Sequence, residues 1–496
     1  MKKLLKWAIR LTGFLALSAI LTTLAIVLVN WRESVRLKRI TERPVQSFVI
    51  NEPSQLALDH VRIIDGTGAQ PTEDQTIVLE SGKIAYVGPY STRPPLDAEH
   101  SRDFSGRTVI PGLIGMHNHL FTTAPTLLGS TPQLVQQGHL FPLLYLAAGV
   151  TTIRTTGSIA PEEDIAIKRR IDLGKQNGPE VFLTSPYLEG SPPTFPEMHG
   201  LGDANEARNF VDTWASRGIT SFKAYMMITP DELRAAVDAA HAHKLKITGH
   251  LCTIGFKEAA ELGIDNVEHG LLSDTEFYSK KEPDKCPEHI GAYLRELNST
   301  DISSPPVQDM ISYLVDQHVA VTSTLAVFES ELGIASEQTL SRAAQALNWK
   351  AWELSKRRRA QIAAFHLSGL LRKEMEFERE FVRKGGTLLA GCDPTGDGGT
   401  LAGFGDQREV ELLVQAGFTP PQAIEIATQN GAEFLGISDH VGTVSLGKQA
   451  DLVVVRGDLA ADISDIERVE LVFRRGTAYD PAKLLEGVEG VVGLNN

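Results

Sequence analysis

Between residues 111 and 435 the sequence alternates short apolar runs with longer amphipathic ones. Eight apolar runs have the length and composition of buried strands, and helical patterns such as PDELRAAVDAAHAHK (230–244) separate most of them. Such alternation is typical of parallel sheets, so eight repeats predict an α/β protein with a (β/α)8 TIM barrel. The predicted strands are 113–119, 150–155, 180–187, 219–226, 246–252, 265–271, 319–325 and 387–393.

The segments that flank this barrel have a different pattern. Residues 55–110 contain short β-type runs separated by the turns DGTG and ESGK, and β-type runs return in residues 436–485. We expect the two segments to pair into one small composite β-sandwich beside the barrel. Residues 31–54 are predicted to be a linker. Residues 272–318 and 334–384 are longer than plain connections require, so they are predicted to be insertions in the barrel.

An apolar run stands close to the N-terminus. Residues 11–29 are uncharged and follow several basic residues, and a run of 19 residues is long enough to span a bilayer as a helix. No small-residue cleavage site follows it, so residues 1–30 are predicted to be an uncleaved transmembrane anchor, with a cleaved signal peptide as the alternative. We expect residues 7–30 to lie in the membrane. Basic residues flank both ends, but a basic leader favours export, so the rest of the chain is predicted to be periplasmic or extracellular.

Charge and cysteine content exclude some classes of protein. The formal net charge is −14, which argues against nucleic acid as a partner because nucleic-acid binding requires a basic surface. Three cysteines, Cys252, Cys286 and Cys392, are too few for a disulfide framework. Cys252 and Cys392 stand in apolar runs and are expected to be packed thiols.

Residues that can bind a metal stand at the ends of several predicted barrel strands. His117 and His119 are two apart, so a strand would direct both imidazoles to the same side. His250, His269 and Asp393 end the fifth, sixth and eighth strands. The histidine pair alone could be structural, and the aspartate could cap the next segment. However, the C-terminal ends of barrel strands meet at one mouth, so the whole set predicts a metal site there.

The fourth strand, in GITSFKAYMM (218–227), carries an unusual lysine. Alternation places Phe222 and Ala224 on the face that helices would cover, and Lys223 and Tyr225 on the inward face. A bare ammonium is costly inside a barrel, so Lys223 would need a partner. As a structural residue, Lys223 could extend its ammonium group to solvent or form an ion pair with an acid. Tyr225, nearer the mouth, could donate a hydrogen bond to a substrate carbonyl oxygen or be a structural tyrosine.

Three further residues are weaker candidates for substrate contacts. His139 opens the helical region after the first strand, and His199 stands in the Pro/Gly-rich loop EGSPPTFPEMHGLGDA after the third. Arg154 has an inward-compatible position on the second strand. It could meet a substrate carboxylate or simply buttress the barrel.

Over roughly residues 55 to 485 the chain resembles the amidohydrolase superfamily of metal-dependent hydrolases. The nearest likeness is to the imidazolonepropionase-like branch, which includes Xaa-Pro and related dipeptidases. Gly115 and Thr155 stand where such proteins usually carry an acid; neither position is expected to bind metal. The matching stretches are VIPGLIGMHNH, GVTTIRTTG, SFKAY, GHLCTIGFKEAAELGIDNVEHG, LLAGCDPTG, REVELLVQAGFTPPQAIEIATQNGAEFLG and GTVSLGKQADLVVV.

The resemblance implies two divalent metal ions. One ion would be held by His117, His119 and Asp393, and the other by His250 and His269. Lys223, converted by carbon dioxide to N6-carboxylysine, would bridge the two. Imidazole and carboxylate ligands suit zinc best, with iron or manganese as alternatives.

The resemblance also implies hydrolysis of an amide by a metal-bridging hydroxide. Tyr225 and one ion would polarise the carbonyl, and Asp393 would pass a proton to the leaving amine. A dipeptide such as Xaa-Pro is the expected small-molecule substrate. The alternatives are a cyclic amide, lactone or organophosphate hydrolase of the same superfamily and, from another class, a catalytically inactive membrane-anchored metal-binding protein. The sequence does not decide whether the chain forms a homo-oligomer.

Overall fold

A computed structural model describes residues 2–124, 133–363, 367, 369–395 and 399–493. The strands of these described residues are β1 (Val49–Ile50), β2 (Gln55–Ile63), β3 (Thr72–Glu80), β4 (Lys83–Pro89), β5 (Ser101–Asp103), β6 (Arg107–Pro111), β7 (Leu113–Asn118), β8 (Phe121–Ala124), β9 (Gln133–Gln136), β10 (Val150–Thr155), β11 (Glu180–Leu188), β12 (Ser221–Ala224), β13 (Lys246–Gly249), β14 (Asn266–Glu268), β15 (Ala320–Ser323), β16 (Leu388–Ala390), β17 (Leu452–Arg456), β18 (Val469–Arg474) and β19 (Thr477–Tyr479).

The α-helices are α1 (Lys2–Thr41), α2 (Phe141–Ala147), α3 (Pro161–Asp172), α4 (Ala204–Ala215), α5 (Pro230–Ala242), α6 (Phe256–Glu261), α7 (Ile290–Leu297), α8 (Pro305–Asp316), α9 (Leu325–Glu331), α10 (Glu337–Ala346), α11 (Trp349–Ala363), α12 (Gly369–Arg383), α13 (Phe404–Ala416), α14 (Pro420–Ile426), α15 (Gln429–Leu435) and α16 (Pro481–Glu486). Local signals fix several of their starts. For example, Thr229 and Glu232 form a capping box before α5, with Pro230 in its first turn.

Eight short strands form the predicted parallel barrel. Their order is β7, β10, β11, β12, β13, β14, β15 and β16, each parallel to its neighbour. The barrel is nearly closed, and across the seam between β16 and β7 the N–H of Asp393 donates to the carbonyl oxygen of His117 at 2.9 Å. Phe222 and Ala224, on the outer face of β12, are fully buried in the main hydrophobic core. The prediction of a TIM-like (β/α)8 barrel is therefore confirmed.

The barrel strands are shorter than the sequence pattern suggests. β12 ends at Ala224, so Tyr225 is the first residue after it, and β13 ends at Gly249, just before His250. His269 follows β14 directly, and Asp393 stands three residues beyond β16. These four candidates therefore lie in the turns that leave the strands, where side-chain direction is set by turn geometry and strict alternation no longer applies.

Strands from both ends of the chain build a second, separate sheet. It has nine strands in the order β1-β19-β18-β17-β6-β2-β3-β4, with β5 also paired to β2. The sheet has its own hydrophobic cluster, which includes Leu58, Ile77, Val109 and Phe473. Its hydrogen bonds are continuous from strand to strand, and β6 joins the N-terminal strands to β17, so the two flanking segments pair beside the barrel in one composite sheet.

The N-terminal helix α1 does not meet the requirement for crossing a bilayer. Spanning takes about 20 predominantly apolar residues in one helix. Across the described part of the chain, no helix combines the necessary length with the necessary apolar character. The predicted transmembrane helix, the membrane contact through residues 7–30 and the membrane-anchored location are therefore wrong.

A disulfide joins Cys252 to Cys286, so the expected packed thiol at Cys252 is wrong. Cys392 is a buried free thiol, as expected. The disulfide ties the turn after His250 to the long connection before α7. The ammonium of Lys281 holds the same turn, because it donates to the carbonyl oxygens of Cys252 at 3.1 Å and Thr253 at 2.6 Å.

Three carboxyl groups are buried together outside the barrel strands. Glu374 and Glu378 lie on α12 and Glu409 lies on α13, and all three side chains are inaccessible to solvent. Glu374 accepts the backbone N–H of Leu272 at 2.8 Å, while Glu409 accepts that of Ala326 at 2.8 Å. Burial raises the pKa of Glu374 to about 8 and that of Glu409 to about 7, and it raises the pKa of Glu378 well above its usual value. The cluster therefore keeps protons at neutral pH.

We expect these three acids to lower the free energy of unfolding as the pH is raised from about 5 to about 8. The buried histidines His117, His250 and His269 make the opposite contribution below about pH 6.5, because their pKa values are lowered in the folded chain. The folded chain keeps protons on these acids that the unfolded chain, with an ordinary glutamate pKa of about 4.3, releases in this range. Urea denaturation at several pH values between about 5 and 8 measures the slope of the free energy of unfolding against pH. Glu378→Gln should make this slope more positive, whereas Glu376→Gln on the same helix should leave it as in the wild type. Equal slopes in the wild type and in Glu378→Gln would contradict the assignment.

Candidate active site

The barrel mouth holds one cavity that all the predicted metal-binding residues face. Its lining includes Tyr225 and the six candidate ligands His117, His119, Lys223, His250, His269 and Asp393. His269 has a φ of 68° and Asp393 a φ of 45°, a left-handed conformation that residues other than glycine rarely adopt. This backbone conformation occurs where the chain leaves β14 and β16, beside the cavity. Backbone outliers of this kind cluster at functional sites.

The carboxylate of Asp393 lies between three imidazoles. Its Oδ1 is 3.4 Å from Nε2 of His119, and its Oδ2 is 3.6 Å from Nε2 of His117 and 3.8 Å from Nε2 of His269. The ligand atoms of His117, His119 and Asp393 all lie within 4.8 Å of one another. Two ligands of a tetrahedral zinc ion lie about 3.4 Å apart, given bonds of about 2.1 Å. The spacing therefore suits a single ion. His250 stands beside this group, with its ring centroid 4.5 Å from that of His269.

The charge states of these groups also suit a divalent cation. Burial lowers the pKa of His117 to about 4 and that of His250 to about 3, and it takes the pKa of His269 well below the usual range. All three imidazoles are therefore neutral at pH 7, with a lone pair available. Burial raises the pKa of Asp393, but the nearby His117 and His119 outweigh it, so the pKa lies well below normal and the group is a carboxylate.

Lys223 is buried, with 1 % of its surface exposed, and its Nζ has no hydrogen-bond partner among the described residues. The nearest carboxylate oxygen is Glu268 Oε1 at 3.9 Å, which is too long for a hydrogen bond. Burial lowers the pKa of Lys223 to about 8, so the neutral amine is readily accessible. His119 Nδ1 is likewise buried without a hydrogen-bond partner in the described part of the chain. These unpartnered nitrogens and the neutral imidazoles fit a metal-binding centre.

Glu268 supports the site from behind and was missed by the sequence analysis. It is fully buried and accepts hydrogen bonds from Nδ1–H of His117 at 2.8 Å, from Nη2 of Arg154 at 2.8 Å and from Thr248 Oγ1. The first of these leaves Nε2 of His117 free to face the cavity, which is the usual arrangement behind a metal-ligating histidine. The only sequence signal was its place directly before His269 in NVEHG.

Replacing Glu268 with glutamine should lower the free energy of unfolding by about 3–5 kcal/mol, because it leaves the buried guanidinium of Arg154 without its counter-charge. Chemical denaturation of the metal-free protein measures the loss. Glu261→Gln, on the exposed surface of α6, is the matched control and should change stability little. A loss for Glu268→Gln no larger than that of the control would contradict the buttressing role.

The three weaker candidates do not line the cavity. Arg154 is 1 % exposed and donates to the carbonyl oxygen of Met116 at 2.7 Å as well as to Glu268, which places it in the buttressing position. His199 is exposed on its loop and pairs with Glu206 at 2.7 Å. His139 is half-buried, and burial lowers its pKa.

Known proteins resemble the chain in both sequence and fold. A family model described as the amidohydrolase family matches residues 108–291 and 322–478. The imidazolonepropionase of Deinococcus radiodurans is 24 % identical over 393 residues, which cover 78 % of this chain and 86 % of the relative. The imidazolonepropionase of Pseudomonas putida is 24 % identical over 423 residues, which cover 79 % of this chain and 90 % of the relative.

Among solved structures, a Xaa-Pro dipeptidase with bound methionine superposes with a TM-score of 0.64 at 20 % identity, covering 86 % of this chain and 100 % of the other. The ochratoxinase of A. niger superposes with a TM-score of 0.59 at 17 % identity, covering 87 % of this chain and 96 % of the other. The chain belongs to the amidohydrolase family, and it is a hydrolase that acts on carbon–nitrogen bonds. This family is generally metal-dependent, in keeping with the cluster at the barrel mouth.

Proposed function

We propose that the chain is a binuclear metal-dependent amidohydrolase that cleaves an amide bond in a small molecule. The observation that carries the proposal is the buried Lys223, whose unpartnered Nζ lies at a cavity lined by four histidines and Asp393. A structural lysine in this position would be expected to have an acid within hydrogen-bonding distance.

The residues present divide into two sets of ligands. His117, His119 and Asp393 would hold one divalent ion, and His250 and His269 would hold the other. Lys223 would serve as N6-carboxylysine: its neutral amine bonds to the carbon of carbon dioxide, a proton is released, and the resulting anion can be shared between two cations. Zinc suits the imidazole and carboxylate donors best, with iron or manganese as alternatives.

When bound, the ions would supply Lewis acidity and lower the pKa of water in the site. The chain's own residues would do the rest. Asp393, a carboxylate at neutral pH, would accept a proton at Oδ and pass it to the leaving amine. Tyr225 lines the cavity, and burial followed by the charge of Asp393 raises its pKa. Its phenol therefore keeps its proton and can donate to the substrate carbonyl oxygen as negative charge develops there.

Two kinds of amide are candidate substrates. A dipeptide such as Xaa-Pro is supported by the fold shared with a Xaa-Pro dipeptidase. A cyclic amide is supported by the curated relatives, which are named imidazolonepropionases. Lactones and phosphotriesters need no proton on the leaving group, so we expect side activities towards them as well.

A hydrolysis screen of metal-loaded protein tests this function. The panel would contain dipeptides, neutral linear amides, cyclic amides, lactones and phosphotriesters. We expect amide hydrolysis that a chelator abolishes and that added zinc restores. Amide hydrolysis that persists after the metal has been removed would contradict the proposal, as would turnover restricted to esters.

A further inference from the structure

The cavity wall outside the candidate ligands is apolar or hydroxylic. Four of its side chains are hydrophobic, namely Phe121, Leu134, Phe195 and Met198. The remaining wall is formed by Tyr187, Tyr225 and three threonines. Among the described residues that line the cavity, Lys223 is the one lysine and there is no arginine.

Two buried or partly buried cations close to the candidate ligands have partners of their own. Arg154 lies behind the ligands and is bound to Glu268, and Lys281 donates to main-chain carbonyl oxygens of the turn after His250. Residues 125–132 and 396–398, which continue the chain from two wall segments, contain neither lysine nor arginine. A substrate carboxylate in the outer part of the cavity would therefore lose its hydration without gaining a counter-charge, which is costly. The net charge of −14 also repels anions at long range.

The hydrophobic part of the wall is held in place by the fold. The carboxylate of Glu189 is fully buried and accepts the backbone N–H groups of Gly190 at 3.0 Å, Thr194 at 3.3 Å and Met227 at 2.6 Å. A Cβ on Gly190 would lie 1.8 Å from the carbonyl oxygen of Met227, so this position requires glycine. Glu189 thereby fastens the loop that carries Phe195 and Met198 to the turn that follows Tyr225. The apolar wall is therefore preorganised.

We propose that the substrate is an uncharged amide with apolar groups on both sides of the scissile bond, and that free dipeptides and other carboxylates are disfavoured. This inference rests on the proposed amide hydrolysis. Apolar groups on the substrate would lie against the hydrophobic wall, where burying them is favourable. The threonine hydroxyls would satisfy neutral polar atoms.

A matched set of amides tests the inference on metal-loaded protein. The neutral compound is hexanoyl p-toluidide. The same amide with a carboxylate in place of the ring methyl places the charge on the amine side, adipoyl mono-p-toluidide places it on the acyl side, and Leu-Pro represents free dipeptides. We expect kcat/KM for the neutral amide to exceed that of each charged compound by at least about tenfold, in line with the cost of burying an unpaired charge.

Phe195→Arg adds a cation to the wall from a partly exposed loop position, and Phe195→Leu is its uncharged control. The arginine variant should raise kcat/KM for one of the carboxylated amides relative to the neutral one by about tenfold or more, and the leucine variant should not. Equal or faster turnover of the charged amides by the wild type would overturn the substrate class while leaving amide hydrolysis intact. No hydrolysis of any amide would overturn the proposed function and this inference together.

Discussion

Replacing Lys223 with alanine should reduce kcat/KM for amide hydrolysis by at least about 1,000-fold, because two-metal sites act as a unit and this residue is proposed to hold both ions. The variant should also retain fewer metal ions than the wild type, since the anion that would lie between the two cations is absent. Inductively coupled plasma mass spectrometry on the purified protein, together with steady-state kinetics, measures both effects.

A lysine outside the site provides the matched control for this prediction. Lys257→Ala, at an exposed position on α6, should keep the metal content and the activity of the wild type. Circular dichroism of Lys223→Ala would establish that it folds, which we expect because alanine removes a buried nitrogen that has no hydrogen-bond partner among the described residues. Full metal content with full turnover in Lys223→Ala would refute the bridging role.

The second large effect is expected for Asp393→Asn. The change preserves the shape of the side chain but removes its charge and its ability to accept a proton. We expect kcat to fall by at least about 1,000-fold, because general acid–base help to the leaving amine and one metal ligand are lost together. Steady-state kinetics with zinc added in excess separates the two losses, since excess metal can refill a weakened site.

Asp439→Asn serves as the control. Asp439 is exposed and does not line the cavity, so this change should leave kcat as in the wild type. If Asp393→Asn kept more than about a tenth of wild-type kcat in excess zinc, the proposed proton transfer would be wrong. If it recovered activity only as zinc was raised, the aspartate would act as a ligand alone.

The barrel was predictable because its signals are local and repeated. Eight apolar runs, separated by helical patterns, required a parallel closed arrangement, and the C-terminal ends of parallel strands meet at one mouth. The side chains that line the cavity at this mouth were therefore visible in the sequence as His117, His119, His250, His269 and Asp393. Alternation within β12 exposed Lys223, because Phe222 and Ala224 required the opposite face.

What the sequence did not reveal depends on contacts between distant segments. Glu268 contacts residues of three other strands, and nothing next to it in the chain reports them. Arg154 could equally have met a substrate, and its position became clear only when Glu268 was seen beside it. The disulfide requires Cys252 and Cys286 to be brought together across 34 residues.

The order of the flanking strands and the error about the N-terminal helix have a similar origin. The β-type runs at both ends of the chain indicated strands but not how those strands would be ordered, so the junction through β6 and β17 could not be predicted. The run of 19 apolar residues satisfied a length rule for membrane spans, whereas the helices of the described chain do not satisfy the combined criterion of length and apolar character.

The central claim is a two-metal centre held by a modified lysine, and metal stoichiometry of the purified wild-type protein tests it most directly. Elemental analysis referenced to quantitative amino-acid analysis gives the number of ions per chain, and the same sample is assayed for amide hydrolysis. We predict two divalent ions per chain in active protein, with activity lost as they are removed. An active protein that holds one ion or none would contradict the account.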